Sequence, residues 1–428
     1  MWLLCLVLAQ AFEVPQLMSQ EERLQFLEIY REQYKGSMPV YDSKMGFSVA
    51  LTKDVRKGDC VAAISPKDVL TSRDPYVLSP FMEFFTEQEQ LAVRVVYERL
   101  HPRDPTNYIR EYVHSFPTTF DLPIYWTDAD FDLLELHTLE YFTRERLRVF
   151  DVAKVHARLI EALEDVPNLP PGMLEIDMLK WGLAICMSRT FGSGGELMRR
   201  AFGLEQEKRE YQMLMPVLDV VNHFPVPIKD RPTRVSIFQI YFQLESWICY
   251  KAQFDQKVGR HFMGSYGDFP NSRLVIDYGF ALDRNPDDTL ELALPHSDLC
   301  TGQKRGDKCI YTTFAYELNA AALKHFFREK AGFQTRGDLS LDALFRQVQL
   351  ASGSKRSKLT FAALSYRKHI LIQTTKSPVR TLKRARNDCT GYRCYLIHTY
   401  CIGQRLGRLL HVRQIERKLL GLLGADIL

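Results

Sequence analysis

The chain has 428 residues, with 56 Lys and Arg against 52 Asp and Glu, a net charge of +4 and a hydrophobic share of 46%. That length predicts two or three domains, and the apolar and charged shares are those of an ordinary folded protein, which excludes extended disorder, collagen-like repeats and a long coiled coil. So small a positive excess over the whole chain does not build the dense basic surface that grips nucleic acid or an anionic membrane.

Nine cysteines occur, at Cys5, Cys60, Cys186, Cys249, Cys300, Cys309, Cys389, Cys394 and Cys401, and none forms the C-x-x-C pair of a zinc ribbon or knuckle. A chain of this size builds a core without disulfides, so the expectation is buried or partly buried free thiols in a reducing compartment. In a secreted protein Cys300 could instead bridge Cys309, or Cys389 bridge Cys394. Residues 1–11 have features of a cleaved leader, since Trp2 to Ala9 is apolar and Ala9-Gln10-Ala11 has the small-x-small form of a cleavage site. Against a leader stand the short apolar run and the lack of a positive charge before it. Phe12 after the possible cut fits the bipartite plastid leaders of some algae, but the acidic stretch that follows does not. A real leader makes a plastid location possible; otherwise the cytoplasm or nucleus is expected. No other stretch approaches the length of a membrane span.

In chain order, Ser19 to Glu22 has the form of a capping box before a helix that includes Leu24, Phe26, Leu27, Ile29 and Tyr30, with Gly36 as its end. Residues 46–65 read as two short strands joined by a charged turn, Arg56-Lys57-Gly58-Asp59. From about Phe81 to Gly192 the pattern is mainly helical, broken by prolines, and Leu174 to Phe191 reads as a largely buried helix. Strand character returns over residues 211–280, strongest at Val235 to Phe242 and Trp247 to Tyr250. From about residue 311 onward the chain reads as helices, with the polar segment Asp298 to Asp307 as a boundary loop.

The apolar, strand-like run Met215-Pro216-Val217-Leu218 leads into Asp219, Asn222 and His223, which place a carboxylate, an amide and an imidazole at one strand end. Taken alone, a buried Asn-His pair that satisfies loop backbone is the plainer reading. A second cluster changes that balance. Ser265-Tyr266-Gly267 and Tyr278-Gly279-Phe280 put two tyrosines beside glycines, with Asn271 between them.

In this order the motifs resemble those of SET-domain protein methyltransferases, specifically the subgroup like the Rubisco large-subunit lysine methyltransferase. Ser188-Arg189-Thr190-Phe191 is similar to that family's S-R-x-F helix end, and Gly46-Phe47-Ser48-Val49 to its opening hairpin. The sequence departs from the pattern at Ser48, where a second glycine is usual, at Asp59, where glutamate is common, and at Arg260, where glutamate usually follows the glycine. The resemblance implies an α+β protein. A β-rich SET fold over residues 20–286 would be interrupted by a helical insertion at about 71–180 and followed by an all-α substrate-binding domain over 300–428.

It further implies S-adenosylmethionine as methyl donor, with Gly46, Ser48, Asp59, Arg189, Asp219, Asn222, His223 and Asn271 toward the cofactor. Tyr266 would be the catalytic tyrosine, and Tyr278 and Phe280 would line the substrate channel. Arg189 would face the methionine carboxylate and Asp219 would brace its strand. The clustered cysteines of a post-SET zinc element are missing, so no metal is expected. The implied activity is protein-lysine N-methylation of a non-histone protein docked on the C-terminal domain of a monomer. Protein-histidine methylation and a catalytically silent interaction module are the alternatives. Between Ala351 and Asn387 there is no acidic residue but ten basic ones, among them Lys355, Arg367, Arg380 and Arg386. This reads as the solvated face of helices, or as a docking surface for an acidic partner or nucleic acid, although no stacking motif accompanies it.

Overall fold

A computed structural model describes residues 18–42, 46–73, 78–135, 141–192, 211–225, 238–242, 246–283, 285–295, 300–305, 308–314, 320–331, 379–389 and 391–423. The possible leader and the basic residues from 351 to 378 lie outside the described residues. The chain divides into two compact units, one of Met1–Ile124 and Leu147–Asp268, the other of Tyr125–Arg146 and Phe269–Leu428.

In the first unit, helix α1 (Gln20–Ile29) opens on the expected capping box. Ser19 Oγ accepts from the Glu22 N–H at 3.1 Å and Glu22 Oε2 accepts from the Ser19 N–H at 2.7 Å. The helix ends at Ile29, before a 3-10 turn at Arg31–Gln33, so Gly36 marks the entry to the first strand and not the helix end. Strands β1 (Ser37–Asp42) and β2 (Gly46–Leu51) form an antiparallel pair. Strand β3 (Cys60–Ile64) lies beyond the expected charged turn but in a different sheet, of order β3–β9–β8, with β8 (Phe238–Phe242) and β9 (Ser246–Lys251) as a hairpin.

The helical insertion departs from strand β4 (Leu70–Thr71) and returns at β5 (Phe191–Gly192). Strand β6 (Gln212–Leu214) lies between them, and Thr71 and Phe191 both align with Met213. The insertion contains α2 (Glu87–Leu100), α3 (Tyr108–His114), α4 (Asp128–Glu135), α5 (Tyr141–Leu163) and α6 (Ile176–Arg189). Of these, α4 belongs to the second unit. Helices α2 and α6 pack closely at Gly182, where a Cβ would stand 2.6 Å from the Ala92 carbonyl oxygen and 2.9 Å from Val96 Cγ2. Leu91, Val95, Leu179, Ile185, Met213 and Ile248 are fully buried in the core of this unit, each contributing about 1.5–3 kcal/mol of apolar burial at most.

The second unit corrects the expectation of an all-α C-terminal domain. Strands β11 (Thr289–Pro295), β12 (Gln303–Arg305) and β13 (Lys308–Phe314) form an antiparallel sheet of order β11–β13–β12. Leu290 and Leu294 are buried two pleat periods apart, so the Thr289-to-Pro295 alternation is a half-buried strand. The segment expected to be a boundary loop instead contributes β12 to this sheet. Helices α7 (Ala320–Ala331), α8 (Val379–Asn387) and α9 (Tyr392–Leu423) follow. Among the basic residues of α8, Lys383 and Arg384 are exposed, whereas Arg386 pairs with Asp283 at 2.6 Å and lies 5.3 Å from the Tyr395 ring centroid. No described helix is long and apolar enough to cross a membrane.

The expectation of free thiols fails at six cysteines. Cys60–Cys249, Cys300–Cys309 and Cys389–Cys394 are disulfide-bonded, while Cys186 and Cys401 are free and buried. Cys60 and Cys249 are 189 residues apart, beyond any spacing rule, and the pairing of β3 with β9 makes them neighbours.

Candidate active site

The D-x-x-N-H segment is not the expected strand over most of its length. Met215 to Val221 forms a series of turns in which the Asp219 N–H donates to the Met215 carbonyl at 3.1 Å and the Val221 N–H to the Leu218 carbonyl at 3.3 Å. Val217 has φ +73 and is fully buried, a backbone region that β-branched residues avoid. Only β7 (Asn222–His223) is extended, and it runs parallel to β10 (Met263–Gly264) with Asn222 opposite Met263 and His223 opposite Gly264.

That pairing brings the two motifs together. His223 Nδ1 accepts from the Tyr266 N–H at 3.0 Å, and the two rings lie 5.0 Å apart. Burial pushes the His223 imidazole down to about 4, so at neutral pH it is uncharged and can act as this acceptor. The Tyr266 hydroxyl donates to the Val221 carbonyl at 2.9 Å. Ser265 is buried, and its N–H donates to Gln253 Oε1 at 2.8 Å.

Asn222 also reaches the opening hairpin, its Nδ2 donating to the Phe47 carbonyl at 3.4 Å. Beside Phe47, Gly46 has φ +73, which favours glycine, and its Cα faces open space. Ser48, where the family pattern has glycine, is fully buried, with Oγ 3.0 Å from His261 Nδ1. Its side chain is thus held by a hydrogen bond inside the unit.

Arg189, at the end of α6, was expected to face a methionine carboxylate but has a partner within the protein. Its Nη1 donates to Asp219 Oδ2 at 2.9 Å, and its guanidinium lies 5.8 Å from the Phe116 ring centroid. Burial pushes the Asp219 carboxyl up while Arg189 pulls it down. Arg189 Nε is buried without a hydrogen-bond partner. Asp59 lies exposed in the charged turn, and its carboxylate accepts from the Arg56 N–H at 2.8 Å.

The remaining expected residues lie in the second unit. Asn271 is 1% exposed, and its backbone and side-chain N–H groups donate to Asp288 at 3.0 and 3.3 Å. Its side chain also closes two bonds of 2.9 Å with the Leu282 backbone, so Asn271 forms a buried clasp. Burial pushes the Asp288 carboxyl up to about 6. Tyr278 closes a π-helical turn, Leu274–Tyr278, and its ring stacks on Phe269 at 6.3 Å and lies 6.3 Å from Phe280. Burial pushes its phenol up to about 12, so the hydroxyl stays protonated. The Arg273 guanidinium lies 3.8 Å from the Phe269 centroid.

Several participants escaped the sequence reading. The Val221 and Phe47 carbonyls adjoin the motifs, so a search for backbone acceptors next to Asn222 and Gly46 would have found them. Gln253, His261 and Asp288 carry no local signal, because only strand pairing and chain packing bring them to their partners.

No family model matches the chain. The ribosomal lysine N-methyltransferase set10 of Schizosaccharomyces pombe is 26% identical over 193 residues, covering 44% of this chain and 31% of that relative. The matched stretch thus spans about a third of the curated relative's length. The SET domain of LSMT solved with lysine and AdoHcy superimposes with a TM-score of 0.66 at 15% identity, covering 95% of this chain and 93% of that one. Rubisco LSMT solved with AdoMet gives a TM-score of 0.61 at 14% identity, covering 94% of this chain and 93% of that one. The chain has the SET fold of these structures, as the motif resemblance implied.

Proposed function

We propose that the chain is an S-adenosylmethionine-dependent protein-lysine N-methyltransferase acting on a non-histone protein. The observation that carries this reading is the joining of Asn222-His223 to Tyr266. One segment supplies a neutral imidazole that fixes the tyrosine backbone, and its Val221 carbonyl accepts a hydrogen bond from the tyrosine hydroxyl. The ribosomal name of the sequence relative and the Rubisco name of the structural one support a non-histone substrate.

The first unit suits the cofactor by the chemistry of its donors. Gly46 leaves open space, Asn222 and His223 present polar backbone and side chains, and Arg189 Nε is a buried donor without a partner. Gly46, Ser48, Asn222, His223 and Arg189 would hold S-adenosylmethionine, with Asp219 bracing Arg189. Asp59 and Asn271 also serve a turn and a clasp within the chain. When bound, the cofactor supplies a methyl group on a sulfonium, open to direct displacement by an amine.

The chain's own residues must position a neutral amine. A free lysine has a pKa of about 10.4, so it sheds its proton in apolar surroundings before it attacks. Because the Tyr266 hydroxyl donates to Val221, its lone pairs remain as acceptors, which can orient an amine N–H and favour positive charge at a transferring methyl. Tyr278, stacked on Phe269, and the neighbouring Phe280 are assigned to the channel wall, where aromatic faces attract the cationic amine before deprotonation. Substrate docking is assigned to the C-terminal helices. The three disulfides support folding where thiols oxidise, and not in the reducing cytoplasm or nucleus.

Calorimetric titration with S-adenosylmethionine, then transfer of labelled methyl to proteins of a cell extract with mass mapping, tests the reading. Donor binding and label on a lysine of a non-histone protein are expected. Label on histidine would move the acceptor, and no binding at millimolar donor would leave a silent SET-fold module.

A further inference from the structure

The turn between α8 and α9 carries a second group of chemically capable side chains, apart from the motifs above. Cys389 lies just past α8, while Cys394 and His398 lie four residues apart on α9 and therefore share a helix face. One ligand atom from each of the three residues lies within 4.8 Å of the other two. The cysteines are joined as a disulfide. His398 is only 7% exposed, and its Nδ1 is buried without a hydrogen-bond partner. A buried histidine with an unpartnered ring nitrogen, standing beside two sulfurs, is suited to a ligand that the oxidised pair excludes.

We propose that Cys389, Cys394 and His398 form a redox-gated binding site for a zinc-class divalent metal ion. A dithiol reductant opens the site: the Cys389–Cys394 S–S bond breaks, the reductant's two thiols become a disulfide, and both cysteines become thiols. Metal binding then forms two S–metal bonds and one N–metal bond and releases the two thiol protons to solvent. Water fills the fourth position. Two thiolates and an imidazole select zinc over magnesium or calcium, which take oxygen ligands. A tetrahedral ion with Zn–S bonds of about 2.3 Å needs sulfurs about 3.8 Å apart, a separation that breaking the Cys389–Cys394 bond must open. The same residues thus clamp the α8–α9 hairpin by a disulfide under oxidising conditions and by a metal under reducing ones.

The test uses the full chain, reduced with a phosphine, desalted without air and titrated with Co²⁺ and then Zn²⁺. The reduced protein should bind one equivalent of Co²⁺ with thiolate charge-transfer and tetrahedral d–d bands, lost on adding Zn²⁺. The oxidised protein should show neither, and His398→Gln and Cys394→Ser should lose both bands. Alkylation mapping of the reduced wild type gives a readout that needs no variant: Zn²⁺ should protect Cys389 and Cys394 but not Cys300 and Cys309. No cobalt bands in the reduced wild type, an unchanged spectrum in folded His398→Gln, or equal alkylation with and without Zn²⁺ would each overturn the proposal.

Discussion

Nη1 of Arg189 donates to Oδ2 of Asp219 at 2.9 Å, tying the end of α6 to the turns that lead into Asn222 and His223. The Asp219 side chain is 2% exposed and that of Arg189 22%, so the pair is largely removed from water. Breaking a buried pair by deleting one partner costs about 3–5 kcal/mol, because the other charge is left unpaired. Arg189→Ala should therefore lower unfolding stability in urea by that order. Arg189→Lys, which keeps the charge and loses the planar fork, should cost less. A loss below about 1 kcal/mol in Arg189→Ala would mean the pair behaves as a surface contact.

Acid should destabilise the first unit through its buried histidines. The folded-state pKa of His223 is depressed to about 4 from 6.5, and that of His114 likewise. Below pH 6.5 the unfolded chain takes up protons that the folded chain refuses until about 4, so this contribution is present at neutral pH and lost as pH falls through that window. Denaturant titrations across the window should show the falling limb, and His223→Gln should make it shallower. An unchanged slope in that variant would show that His223 is not held neutral by the fold.

The two motif tyrosines should separate kinetically. Tyr266→Phe removes the hydroxyl that donates to Val221, and kcat should fall by about a hundredfold or more while donor affinity stays near wild type. Tyr278→Phe keeps the ring that stacks on Phe269 and should act mainly on KM for the protein substrate. The opposite pattern, with normal turnover in Tyr266→Phe and its collapse in Tyr278→Phe, would transfer the catalytic role to Tyr278.

Gly182→Ala should destabilise the chain by about 1–3 kcal/mol, since the added methyl meets the Ala92 backbone, which is less free to yield than a side chain. Thermal unfolding reads the effect. A variant as stable as wild type would show that α2 and α6 separate without penalty.

Disulfide status can be checked on protein taken from its native source. Differential alkylation should find Cys60, Cys249, Cys300, Cys309, Cys389 and Cys394 protected until reduction. The Cys60–Cys249 bridge closes the longest loop, 189 residues, and a Cys60→Ala, Cys249→Ala double variant should lose about 4–5 kcal/mol of stability. Native protein with all six thiols reactive would restore the reducing compartment.

Local chemistry carried the legible part of the sequence. The Ser19 capping box, strand character at β8 and β9, a buried helix within Leu174 to Phe191 and the motif resemblance all emerged as expected, because each is written within a few residues. The turns over Met215 to Val221 were misread because an apolar run has no periodicity to tell a buried strand from buried turns. The β11–β13 sheet was missed because polar residues between its strands resembled a domain boundary. The clasp of Asn271 with Asp288 depends on packing that no window of sequence reports.

Thr71 and Phe191 flank the same residue, Met213, and so lie two strand spacings apart, about 10 Å. About three extended residues would span that gap, yet the chain sends a set of helices across it. Closure of this small sheet therefore sets no required length for what lies between. The helices upstream of α6 can therefore change in length without opening this sheet, provided Arg189 still returns to Asp219.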